Sequence, residues 1–99
     1  MAVIVIDPGH GGSEMVGHSS PNNATSPSGL LEKDLCLTVA RHAAAAMSSR
    51  GDDVRLTRDS DVNVGLADRA RVAAAARADV FVSIHFNGFG DATVQGTET

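Results

Sequence analysis

The sequence predicts an α/β fold: three layers, with a mostly parallel, twisted sheet flanked by helices. Three observations predict it. Val3–Ile6 and Val80–Ile84 are short, nearly all-apolar runs, which suits strands buried on both faces of a parallel sheet. Two longer segments between them hold apolar residues at helical spacing and alanine runs at 43–46 and 73–76. The resulting order, β-α-β-α-β, implies crossover connections and parallel neighbours.

Each element has its own signal. The first strand is the β-branched run Val3–Ile6, closed by Asp7-Pro8-Gly9, because proline cannot donate a ladder hydrogen bond. Residues 11–29 are rich in Gly, Ser, Asn, Pro and Thr without a period. They read as a long loop, functional or mobile. A helix is predicted over 30–50, with Cys36, Val39, Ala40, Ala43 and Met47 on its apolar stripe and a stop at Gly51. Asp53–Thr57 gives a second strand and 58–63 a polar turn. A second helix is predicted over 65–78, with Asn63 as its cap. Val80–Ile84 is the third strand, and no regular element is predicted after it.

Composition bounds the class. At 99 residues the chain forms one domain at most, 42% hydrophobic and 20% charged, as a globular protein is. No apolar run approaches the roughly 20 residues that span a bilayer, and the first residues read as a strand, not a signal peptide. A net charge of −4 argues against a nucleic-acid partner. The lone Cys36 excludes an internal disulfide framework. Aromatics are only 3%, so the core has little area to spare.

Ligands of parallel sheets sit beyond the carboxyl ends of the strands. That rule selects residues 7–12 and 83–87, with His10 and His85 among them, and Glu32 opens a helix that starts from the same edge. His, Glu and His with an open fourth position is a catalytic zinc set. Spacing alone leaves a second reading open, in which the histidines are solvated or bonded to nearby backbone. Glu32 is equally an ordinary first-turn acid at the positive end of a helix dipole. Glycines at 9, 11 and 12 allow backbone to pass close to a ligand. Asp7 is placed to accept a hydrogen bond from a ligand imidazole, or simply to start a turn before proline.

Asp7-Pro8-Gly9-His10-Gly11-Gly12 resembles the opening motif of the zinc-dependent N-acetylmuramoyl-L-alanine amidases of the third amidase class. Leu31-Glu32-Lys33-Asp34 is similar to the family's helix-opening ligand segment. Leu56-Thr57-Arg58-Asp59, with Leu66 and Arg69, resembles its central signature. Residues 78–87 resemble its third-strand motif, and Gly96-Thr97-Glu98-Thr99 a later segment. The likeness runs in order along nearly the whole chain.

The resemblance implies hydrolysis of the amide joining N-acetylmuramic acid to L-alanine in peptidoglycan, as in autolysins and endolysins, at the cell wall outside the cytoplasm. It implies Zn2+ held by His10, Glu32 and His85, whose bound water would attack the carbonyl. Asp7, Arg58, Arg69, Asn87 and Glu98 fall at supporting positions, although Arg69 also reads as a helix-surface arginine. The family's general acid/base glutamate is expected beyond residue 99, so no residue of the chain is assigned that role. The 99 residues therefore read as the N-terminal part of one amidase-like domain, with a second chain or a further segment completing the sheet. The alternative is a non-catalytic, wall-binding amidase-like module without the acid/base. A nucleotide-binding half is disfavoured, since the glycines match no phosphate-loop pattern.

Other reactive residues receive structural readings. Glu14 and His18 are expected to be solvated in the loop and His42 to lie on the helix flank. Cys36 is expected in the core. Phe86 and Phe89 suit a substrate groove or simple packing.

Overall fold

A computed structural model describes residues 1–22 and 25–86. The expectations for Asn87, Phe89 and Glu98 lie outside the described residues. Five elements follow in the predicted order: β1 (Val3–Pro8), α1 (Glu32–Ser49), β2 (Asp53–Leu56), α2 (Leu66–Ala76) and β3 (Val80–Ile84). The sheet is parallel, with β1 between β2 and β3.

Alternation along β1 explains the layering. Ile4 and Ile6 pack against Ala40, with Ala43, Ala44 and Met47 of α1 around them. The intervening residues face the opposite side, where Asp7 meets Arg69 of α2. Every residue from Ile4 to Gly9 is buried, as a central parallel strand covered on both faces requires. The fully apolar interior is small: Ile4, Val5, Ile6, Cys36 and Ala40. The strand edges differ in character, and Val80 and Phe81 of β3 remain 46% and 43% exposed.

Several boundaries depart from the sequence reading, and α1 starts at Glu32, two residues later than predicted. β1 extends two residues further, through Pro8, which pairs with Ile84. The next donor on that side is Gly9 N–H, bonded to Ile84 O at 3.0 Å. β2 ends at Leu56, opposite Ile6, so the missing proline donor faces no strand there. α2 stops at Ala76 because Arg77 adopts the left-handed conformation (φ 51°) and caps the last turn. Val39, predicted on the buried stripe of α1, is 40% exposed. The rest of the stripe holds: Cys36 and Ala40 are buried, and Ala43 and Met47, joined by Ala44, pack partly buried against the core.

Two acids start the sheet. Ala2 N–H donates to Asp52 Oδ1 (3.1 Å) and Val3 N–H to Asp79 Oδ2 (2.8 Å). Each acid directly precedes or opens the approach to a neighbouring strand, so both set where β1 begins. Gly51 ends α1 with φ +91°, as its sequence position predicts.

Candidate metal centre

The parallel register brings the ends of β1 and β3 side by side, and α1 begins above the same edge. His10, Glu32 and His85 meet there. His10 Nε2 lies 3.1 Å and His85 Nδ1 3.7 Å from Glu32 Oε2, and the two imidazole nitrogens are 3.4 Å apart. Tetrahedral zinc with bonds of about 2.0–2.1 Å needs donors about 3.4 Å apart. The three atoms form a triangle of that size.

The carboxylate is the informative member. Glu32 is 1% exposed, and its Oε1 is buried without a hydrogen-bond partner among the described residues. Oε2 accepts the Phe86 N–H at 2.9 Å. A buried carboxylate is costly unless its charge is compensated, and a cation held at Oε2 and the two imidazole nitrogens would compensate it. The chemistry of the set thus fits a divalent metal. Leu31 precedes the helix with no side-chain cap, so Glu32 is also a first-turn acid at the dipole. The first-turn acid thus also lies within reach of both histidines.

His10 is oriented by Ser20. Its Nδ1 lies 3.0 Å from Ser20 O and 2.9 Å from Ser20 Oγ. The carbonyl can only accept, so Nδ1 carries the proton and Nε2 offers its lone pair toward Glu32 and His85. This corrects the expectation that Asp7 would hold a ligand imidazole. Asp7 instead accepts from Thr57 Oγ1 (2.6 Å), Arg69 Nη1 (2.8 Å) and Ser83 Oγ (2.9 Å). Its two oxygens are committed one layer below the histidines.

His85 sits against Gly9. A Cβ on Gly9 would fall 2.6 Å from His85 Nδ1, so only glycine leaves room for the ring. Burial, followed by the neighbouring His10, holds the His85 imidazole below its ordinary range, and Glu32 opposes the shift. The neutral form is the metal-binding form.

Two buried arginines fix the backbone between Asp7 and His10. Arg58 donates to Pro8 O (3.1 Å), Gly9 O (2.7 Å) and Lys33 O (2.9 Å), which ties β1 to the start of α1. Burial, then the charge of Arg69, lowers its pKa. Arg69 donates to Val64 O (2.7 Å), Pro8 O (2.6 Å) and His10 O (2.8 Å) and pairs with Asp7. At 3% exposure it is no surface arginine. The carbonyls around the first histidine therefore point down into guanidinium groups.

Several positions escaped the sequence reading. Asn63 is not the α2 cap, which is Gly65 without a side-chain bond. Its amide instead donates to Glu14 O and Ser19 O and accepts from Ser19 Oγ. Lys33 and Asp61 pair at 3.1 Å and grip Gly12 from both sides. The Gly12 N–H, then Lys33, hold the Asp61 carboxyl below its usual range. Polar residues in a glycine-rich loop and a turn are the only signal for these contacts.

Cys36 is buried, and burial, then Glu32, pushes its thiol up to about 11, which excludes an activated nucleophile. Glu14 and His42 are exposed, as expected. His18 is exposed too, but it lines a cavity of about 190 Å³ together with His10, His85 and Ser83. Among the described residues no helix is long and apolar enough to cross a membrane.

Residues 4–99 match the family profile described as N-acetylmuramoyl-L-alanine amidase. The chain is similar to the N-acetylmuramoyl-L-alanine amidase AmiC of Neisseria meningitidis serogroup B, at 41% identity over 96% of this chain and 21% of that protein. It is 44% identical to an endolysin of Bacillus phage SPP1 over 72% of this chain and 27% of that protein. Among solved structures, the amidase AmiC2 of Nostoc punctiforme superposes with a TM-score of 0.77 and 39% identity, covering 91% of this chain and 46% of that one. The chain thus spans a fifth to under half of the length of these relatives.

Proposed function

The chain belongs to the N-acetylmuramoyl-L-alanine amidase family, and on that premise we propose that its His10, Glu32 and His85 hold a zinc ion used to hydrolyse the amide between N-acetylmuramic acid and L-alanine in peptidoglycan. The reaction adds water across the C–N bond, leaving a lactyl carboxylate and the free amine of the peptide. The site of action is the cell wall, and the 99 residues are the N-terminal part of one amidase-like domain.

The observation that carries this reading is the buried Glu32 carboxylate, with one oxygen unpaired among the described residues and the other 3.1 Å and 3.7 Å from two imidazole nitrogens. When bound, zinc supplies Lewis acidity: it acidifies water and polarises a carbonyl. The chain's own residues do the positioning. Ser20 sets the His10 tautomer, Gly9 admits the His85 ring, and Arg58 and Arg69 hold the carbonyls of residues 8–10. Asp7 is the one carboxylate among the described residues lining the cavity. Its engagement with Arg69, Thr57 and Ser83 leaves it unsuited to take a proton from water, so we assign no general base among the described residues.

The test is metal stoichiometry joined to turnover. The purified protein is expected to hold one zinc per chain, lose it to a chelator, and lose it in His10→Ala and in Glu32→Ala. Zinc-loaded protein that carries the acid/base glutamate expected beyond residue 99 should release peptide with a free L-alanine amine from a muropeptide, read by mass spectrometry. Folded wild-type protein that binds no zinc, or zinc-loaded protein carrying that glutamate that leaves this amide intact, overturns the reading.

A further inference from the structure

We propose that Lys33 and Asp61 are positioning residues of the metal centre: together they clasp Gly12 and so fix the spacing between the segments that carry His10 and Glu32. The proposal rests on the metal reading above and assigns a role to two residues outside the ligand set.

Both segments are weakly held by local structure. Gly11 and Gly12 follow His10 with φ of +130° and +65°, and glycine gives up more conformational freedom on ordering than any other residue. Glu32 is the first residue of α1, and no side chain among the described residues caps that helix, so its first turn is the part that frays. A metal set built on two such segments needs them tied to each other.

The tie is a closed ring. Gly12 N–H donates to Asp61 Oδ1 (2.8 Å), Lys33 Nζ donates to Gly12 O (2.7 Å), and Lys33 Nζ meets Asp61 Oδ2 at 3.1 Å. Gly12 lies two residues beyond His10, and Lys33 directly follows Glu32. The ring therefore joins the two ligand segments within two residues of each ligand. A second bridge runs beside it, where Arg58 Nη2 donates to both Gly9 O and Lys33 O. The turn after β2 supplies Arg58 and Asp61 to these bridges and none of the three candidate ligands. The Lys33 side chain is 13% exposed and that of Asp61 57%. An ion pair with one member so exposed adds little to folding stability, so stability alone is a poor account of it. The same turn carries a natural comparison. Asp59 pairs with Arg41 at 2.7 Å, which ties the turn to α1 more than two helical turns beyond Glu32.

The experiment measures zinc affinity by competition with a chromophoric chelator, and the visible absorption of the cobalt(II)-substituted protein. It compares wild type with Asp61→Ala, Lys33→Met, the double variant and Asp59→Ala. Asp61→Ala and Lys33→Met should each weaken zinc binding about ten-fold and alter the cobalt bands, which report ligand geometry. The double variant should stay within about two-fold of the weaker single variant, because both changes open one ring. Asp59→Ala should keep zinc affinity within about two-fold of wild type and leave the bands as they are. Metal-free Tm should fall by less than about 8 °C in Asp61→Ala and Asp59→Ala alike. Zinc affinity in Asp61→Ala within about two-fold of wild type, or an equal loss in Asp59→Ala, overturns this proposal and leaves the metal reading standing. A folded wild type that binds no zinc overturns both.

Discussion

Replacing Arg69 by methionine gives the sharpest test of how the site is supported. The substitution keeps an unbranched apolar stem suited to the helix, but removes the guanidinium. Asp7, 6% exposed at its side chain, then keeps two hydroxyl partners and no cation. The carbonyls of Pro8, His10 and Val64 lose their Arg69 donor. Removing one partner of a buried ion pair costs about 3–5 kcal/mol. A domain of this size has about 5–15 kcal/mol in total, so the loss is a large fraction of the whole. At about 4–8 °C per kcal/mol, Tm should fall by on the order of 20 °C. Urea denaturation followed by circular dichroism would measure it, with Asp7→Asn and the double variant completing a cycle. The double variant should recover part of the loss, because no uncompensated carboxylate remains. A surface arginine would cost within about 0.5 kcal/mol, so a loss below about 1 kcal/mol in Arg69→Met refutes the buried-clamp account.

Three further outcomes follow from the same structure. Gly9→Ala should keep the fold's far-ultraviolet spectrum yet weaken zinc binding about ten-fold or more, because the new methyl displaces the His85 ring; zinc titration with a competing chelator checks this. His85 has its folded pKa lowered, so protons favour the unfolded chain. Metal-free stability should decline as pH falls below about 6.5, the unfolded histidine value, and urea midpoints of wild type should fall more steeply there than those of His85→Gln. Ile6→Ala should destabilise by about 2–5 kcal/mol, since Ile6 is 1% exposed and the apolar core around it is small; a shift in urea midpoint with unchanged m-value would report it.

Much of the molecule is legible in the sequence because its signals are local. The β-branched run of β1, the alanine runs of both helices and the Gly51 stop each depend on near neighbours in the chain, and the element order follows from them. The candidate ligands were legible for the same reason: strand ends and a helix start are local features, and a parallel sheet has to gather them at one edge. Asp7, Asn63 and Arg69 resisted that reading. An Asp before proline, an Asn before a helix and an Arg on a helix each have a common local use, and here each is turned to a partner at least five residues away.

The sequence by itself therefore determined the α/β class, the strand and helix order, and which three side chains lie where a metal can be held. Only the tertiary structure decided how they are held. Burial of the β1 end brings its carbonyls away from water, and those carbonyls must find donors. Arg58 supplies them from the turn after β2 and Arg69 from α2, Ser20 rather than Asp7 accepts the hydrogen bond of His10 Nδ1–H, and Glu32 is left with an oxygen that no donor among the described residues reaches. Those are long-range assignments of hydrogen bonds, settled by which groups the fold removes from solvent together.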